Sequence, residues 1–163
     1  MSRNFDRREI LKRSGTATVG AAIASISLAQ TANASKQSKT VKVSTLKDIK
    51  PLTPVEFSYP SEDLAVLIDM DKSVDGGIGP KKSIVAYSGL CQHRGCPVGY
   101  EADKGLFVCP CHRSVFDPAR GGDCLEGPSQ RGLPRVTLNI RDGAVYAVGI
   151  ENGPVFGRAC NSA

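Results

Sequence analysis

Apolar and polar positions along this chain fall into short strand-like runs. Val41 to Leu46 opens the series and Val55 to Tyr59 alternates, while Leu64 to Met70 is almost continuously apolar. Ile84 to Tyr87, Leu106 to Cys109, Val136 to Ile140 and Ala144 to Ile150 follow. Clusters of Gly, Pro and Asp separate the runs, which is how strands are punctuated. Asp142-Gly143, between the last two runs, is a strong signal for a two-residue hairpin, whose turn needs positive φ at both positions. Helical periodicity is absent beyond residue 34, and there is no internal repeat. The pattern predicts an all-β fold, a small antiparallel sandwich or barrel. Between Ser88 and Pro134 it changes: glycines, prolines, both histidines and five of the six cysteines crowd into what read as loops. This stretch, about residues 88–134, is predicted to be a binding subdomain inserted in the β framework.

The first 34 residues have another character. Arg7-Arg8-Glu9-Ile10-Leu11-Lys12 precedes a run of small apolar residues from Ala17 to Ala29, then Ala32-Asn33-Ala34 and Ser35. Such an order is that of a twin-arginine signal peptide with a small-residue cleavage site. The 13-residue run, interrupted by Thr18, Gly20, Ser25 and Ser27, is short for a helix crossing roughly 30 Å of hydrocarbon. The expectation is therefore a cleaved leader at 1–34, export to the periplasm, and a mature domain at 35–163 of about 130 residues. Membrane association would follow only from an uncleaved leader. The twin-arginine route carries folded cargo, which suits a protein whose cofactor is inserted before export.

Charge changes the picture little. The formal net charge is +5, but residues 1–34 hold five of the 21 Lys/Arg and two of the 16 Asp/Glu, so the remainder carries only +2. No dense basic run is present, and neither a nucleic-acid nor an acidic partner is implied.

The chemistry concentrates in Cys91-Gln92-His93-Arg94-Gly95-Cys96 and Cys109-Pro110-Cys111-His112-Arg113-Ser114, two segments of form C-x-H-x-G-C and C-x-C-H with twelve residues between them. Zinc is one reading of Cys and His in this number, but zinc sites favour C-x₂₋₄-C with separated histidine pairs, and two cysteines would be left over. Inert core thiols are a second reading; against it, the chain's only two histidines both fall inside these segments.

The two segments resemble the Rieske signature at each defining position. That resemblance implies one [2Fe–2S] cluster per chain, held by Cys91 and His93 from the first loop and Cys109 and His112 from the second, in a Rieske-type β sandwich with a cluster-binding subdomain. Histidine replaces cysteine on one iron, so the oxidised centre is neutral where four thiolates would make it −2, and the potential rises into a window of roughly −150 to +300 mV. Cys96 and Cys111 match the pair that forms a disulfide between the two loops in Rieske proteins with six such residues, and an exported chain permits the bond. Cys124 and Cys160 remain as a second pair or as separate thiols. Ser114 matches the family's serine, whose hydroxyl would bond a sulfide. Phe116 stands where respiratory-complex Rieske proteins carry tyrosine, so one hydrogen bond to the site is missing. Gly127-Pro128-Ser129 resembles the proline loop that shields the cluster from solvent.

The leader, the small domain, Phe116, and the stretches Gly132-Leu133-Pro134-Arg135 and Val155-Phe156-Gly157-Arg158 together look like the small subunit of arsenite oxidase, with the iodate reductase small subunit as the related alternative. The resemblance implies a large molybdopterin-containing catalytic subunit as partner and cytochrome c or a small copper protein as electron acceptor. No catalytic residue is expected on this chain, which would act as the electron-transfer subunit of an oxidoreductase. A quinol-oxidising respiratory Rieske subunit, a Rieske ferredoxin or oxygenase component and a zinc-binding module are the other readings. The first would carry a membrane anchor, the second would lack the Cys96 and Cys111 pair, and the third would be colourless.

Overall fold

The structure, a computed structural model, describes residues 39–158. The leader reading at 1–34 and the Cys160 half of the Cys124–Cys160 pair lie outside the described residues.

Ten strands form two antiparallel sheets among the described residues. The larger has six strands in the order β1-β10-β9-β4-β3-β2: β1 Val41–Thr45, β2 Val55–Ser58, β3 Leu64–Asp69, β4 Ile84–Ser88, β9 Arg135–Arg141 and β10 Ala144–Glu151. The smaller has four in sequence order: β5 Gly99–Glu101, β6 Leu106–Val108, β7 Val115–Asp117 and β8 Asp123–Glu126. The all-β expectation holds. Asp142 and Gly143 turn the β9–β10 hairpin with φ of 50° and 74°, and Ala144 pairs with Arg141 directly across it. Beside Gly143 there is open space, so backbone conformation alone selects glycine there.

The nearly continuous apolar run of β3 is explained by burial on both faces. Successive residues of a strand point to opposite sides. Ala65 and Leu67 of β3, with Ile84 and Ala86 of β4, enter a core shared with Val136, Val145 and Ala147. Val66 and Ile68, with Val85 and Tyr87, enter a second core with Phe107, Phe116, Leu133 and the thiols Cys91 and Cys109. The central hairpin thus divides two cores, one under the six-stranded sheet and one under the binding residues.

The 88–134 region, read as loops apart from the run at Leu106 to Cys109, carries the four-stranded sheet, and that run is β6 Leu106–Val108. Its strands have three or four residues each, too few for a period of two to appear in sequence. Between β7 and β8 a 3₁₀ turn at Pro118–Arg120 starts on Asp117, whose carboxylate accepts the Ala119 N–H at 2.8 Å, and stops at Gly121 in the left-handed region.

Candidate metal centre

Two loops at one end of the small sheet are built alike. In the first, Cys91 N–H donates to Cys96 O at 2.9 Å and Gly95 N–H to Cys91 O at 2.8 Å. In the second, Cys109 N–H donates to Ser114 O at 2.8 Å and Arg113 N–H to Cys109 O at 3.0 Å. The fifth residue of each has positive φ: Gly95 at 74° and Arg113 at 60°. Each loop is therefore a tight reversal that starts on a cysteine and turns its following residues toward the opposite loop. A non-glycine residue at Arg113 carries local backbone strain.

The reversals bring the sequence-predicted residues together. Cys91 and Cys109 are both about 1% exposed and are thiols. Burial pushes the Cys91 thiol up from its ordinary range and the adjacent Cys109 sulfur adds to this, while the His93 and Arg94 amides directed at it act the other way. The rings of His93 and His112 stand edge to face with centroids 4.8 Å apart. His93 Nδ1 is buried with no hydrogen-bond partner, although a buried polar atom is ordinarily satisfied. Cys96 and Cys111 form a disulfide that joins the loops, with Cα atoms 6.5 Å apart. Cys109 Sγ lies within 4.8 Å of both disulfide sulfurs. These three do not make a metal site, because the two bonded sulfurs are not thiolates.

This donor set fits a [2Fe–2S] group of the histidine-bearing kind. Two buried thiols in contact, with amide donors aimed at one of them, are suited to the thiolate state that a metal imposes. A buried Nδ1 without a partner is a nitrogen free to ligate.

Around these residues the supporting positions fall as follows. Ser114 is fully buried, and its Oγ accepts the Ser129 N–H at 3.1 Å, which leaves its own hydrogen to donate elsewhere. Phe116 is fully buried in the second core and pairs with Phe107 across the sheet. Gly127, at φ 90°, lies so close that a Cβ there would sit 2.5 Å from Ser114 Cα. Pro128 is exposed and lines a cleft of about 360 Å³ with Gln92, His93, Gln130 and Arg131. Cys124 is a free thiol 3.3 Å from Glu126 O.

Sequence reasoning missed Gln92, whose Nε2 donates to Leu90 O at 3.1 Å while its Oε1 accepts from Arg131 at 3.3 Å. It also missed Tyr87, whose hydroxyl donates to Pro118 O at 2.8 Å and ties the large sheet to the small one. Neither position carries a signal beyond a common residue type.

A family model for the Rieske [2Fe-2S] domain matches residues 39–137. The chain belongs to the Rieske [2Fe–2S] family. A Rieske domain binds a [2Fe–2S] cluster and transfers electrons, so the four-loop-residue chemistry and the fold point the same way. Among curated relatives, an iodate reductase subunit of Denitromonas iodatirespirans is 35% identical over 76% of this chain and 68% of its own length. The iodate reductase subunit of Pseudomonas sp. strain SCT is 32% identical over 94% of this chain and 82% of its own length. The soluble domain of Rieske protein II from Sulfolobus acidocaldarius superposes with a TM-score of 0.64 at 25% identity, covering 74% of this chain and 81% of that one.

Proposed function

We propose that Cys91, His93, Cys109 and His112 hold the cluster of this Rieske protein, and that the chain is the electron-transfer subunit of a molybdopterin oxidoreductase of the iodate reductase kind. The observation that carries the ligand set is the buried, partnerless Nδ1 of His93 beside His112, with the Cys91 and Cys109 thiols in contact. When bound, the cluster supplies a one-electron couple in the roughly −150 to +300 mV range of histidine-ligated centres. The protein's part is to hold the ligand loops and limit solvent. The Cys96–Cys111 bond joins the loops, Gly127 packs on Ser114, and Pro128 stands beside the cleft at His93.

The two iodate reductase relatives, aligned over most of their own lengths, support that partner class over the arsenite oxidase placed first by the loop and tail stretches. The role of this chain is the same in both. Only the direction of flow differs, since iodate consumes electrons at the large subunit and arsenite releases them there. A periplasmic cytochrome c or small copper protein exchanges electrons with the cluster, and the twin-arginine leader delivers the folded chain to that compartment. Relatives from respiratory bc1 complexes, such as that of Streptomyces lividans at 41% identity, align over only 45% of this chain, so they support the family and no particular partner.

Two measurements test the reading. Electron paramagnetic resonance of the reduced protein should give the low average g of a histidine-ligated [2Fe–2S] centre, and His93→Cys or His112→Cys should abolish it or drastically lower the potential. A four-cysteine ferredoxin spectrum would refute the ligand set. Purification from the native host should bring down a molybdopterin subunit that turns over iodate. Turnover of arsenite instead would restore the other partner, and recovery of quinol-oxidising subunits would reject both.

A further inference from the structure

After β10 ends at Glu151, Asn152 and Gly153 reverse the chain with φ of 63° and 109°. Residues 152–158 then return past the ligand loops. A Cβ on Gly153 would lie 4.0 Å from Arg131 Nη1, Val155 is 2% exposed, and the Arg158 guanidinium pairs with Asp63. Between these anchors the Phe156 ring rests on Gly95. A Cβ built at Gly95 would sit 2.5 Å from Phe156 Cδ1 and 2.7 Å from Cε1. Glycine at 95 therefore meets two demands: the positive φ of the reversal and the space taken by this ring.

Gly95 lies between His93 and Cys96, so whatever fixes its backbone fixes the direction of both side chains. The second loop differs at this place. Its equivalent residue, Arg113, is exposed, and that loop is held from beneath by Gly127 against Ser114. We propose that Phe156 is a positioning residue for the first ligand loop, holding the His93 reversal in the geometry that the cluster requires. This rests on the ligand set given above.

The test uses the full-length, cluster-loaded protein and its Phe156→Ala and Phe156→Leu variants. Two readings are taken: the g-values of the reduced state, and the rate at which the visible spectrum bleaches in excess chelator. Loss of the ring should shift the g-values and speed bleaching by about tenfold, a part of what truncating a packed phenylalanine costs. Leucine should recover most of the difference, and far-ultraviolet circular dichroism should not change. Wild-type g-values and bleaching in a folded Phe156→Ala protein would overturn the proposal. Should that variant fail to fold, Phe156→Leu must show the same changes in smaller degree, and wild-type values in it overturn the proposal equally. Failure of the ligand set is distinguishable, because the wild-type protein would then lack the histidine-type signal.

Discussion

Tyr87 offers the sharpest test of how the cluster-bearing sheet is tied to the framework. Its side chain stands on β4, fully buried, and its hydroxyl donates at 2.8 Å to the carbonyl of Pro118, across 31 residues of chain. The ring also packs closely on Gly122, where a Cβ would lie 2.8 Å from Tyr87 Cε1. Tyr87→Phe keeps the ring and removes only the donor, leaving a buried carbonyl unsatisfied at a cost of about 1–3 kcal/mol. For a domain of this size each kcal/mol is worth roughly 4 °C, so the apparent Tm should fall by about 8 °C, with cluster content matched and scan rate fixed. Alkaline pH gives an independent reading. Burial pushes the Tyr87 phenol up to about 12, with the nearby Arg135 guanidinium opposing. An unfolded tyrosine ionises near 10, so between pH 10 and 12 the folded state binds more protons than the unfolded one. Stability present below pH 10 is then lost as pH rises through 12, on the order of 2–3 kcal/mol. Urea midpoints measured from pH 9 to 12 should fall less steeply in Tyr87→Phe than in wild type. A Tm change under about 2 °C together with parallel alkaline limbs would refute the tie.

Cys96→Ser removes a crosslink spanning 15 residues, which constrains an unfolded loop of that length by about 3 kcal/mol; urea midpoints should fall and the cluster should bleach faster, with the β spectrum retained, and mass spectrometry finding both thiols free in exported protein would remove the basis for this. Phe116→Tyr places a hydroxyl in the fully buried position beneath the ligand loops, and a donor to a ligand sulfur worth about 1 kcal/mol in the reduced state should raise the potential by roughly 40 mV. Ser114→Ala should lower it by a similar order, and voltammetry showing no change in either would mean that these hydroxyls do not reach the sulfurs. Gly127→Ala forces a Cβ to within 2.5 Å of Ser114 Cα at a φ of 90°, so the Ser129 amide should lose its bond to Ser114 Oγ and its protection in hydrogen exchange; unchanged protection would contradict the close packing.

How much was legible in the sequence differed between the two sheets for a physical reason. The strands of the large sheet carry alternating or continuous apolar residues that enter a core, and the Asp142-Gly143 turn is dictated by backbone conformation, so both leave local traces. The double burial of β3, divided between two cores, even accounts for the run that did not alternate. The small sheet leaves less: of its four strands only β6 shows as an apolar run, Leu106 to Cys109. Its strands are only three or four residues long, and much of the binding region is held by backbone hydrogen bonds and glycine contacts, as Gly127 on Ser114 and Gly122 on Tyr87 show. These depend on partners distant in the chain.

The site divides along the same line. Thiols and imidazoles are rare, and few side chains can replace them in binding iron, so Cys91, His93, Cys109 and His112 stand out of any composition. Their supports are ordinary residues whose role exists only in three dimensions: a tyrosine hydroxyl on a carbonyl, a glutamine between Leu90 O and Arg131. The two reversals make the contrast concrete. They share the same pair of hydrogen bonds and the same positive φ at the fifth residue, yet one has glycine there and the other arginine. Backbone geometry alone would favour glycine in both. In the first loop the Phe156 ring removes the choice by filling the space at Gly95. In the second the residue is Arg113, which is exposed. The glycine of the first loop is part of the C-x-H-x-G-C motif, but the ring that fills the space beside it comes from position 156, which lies outside that motif.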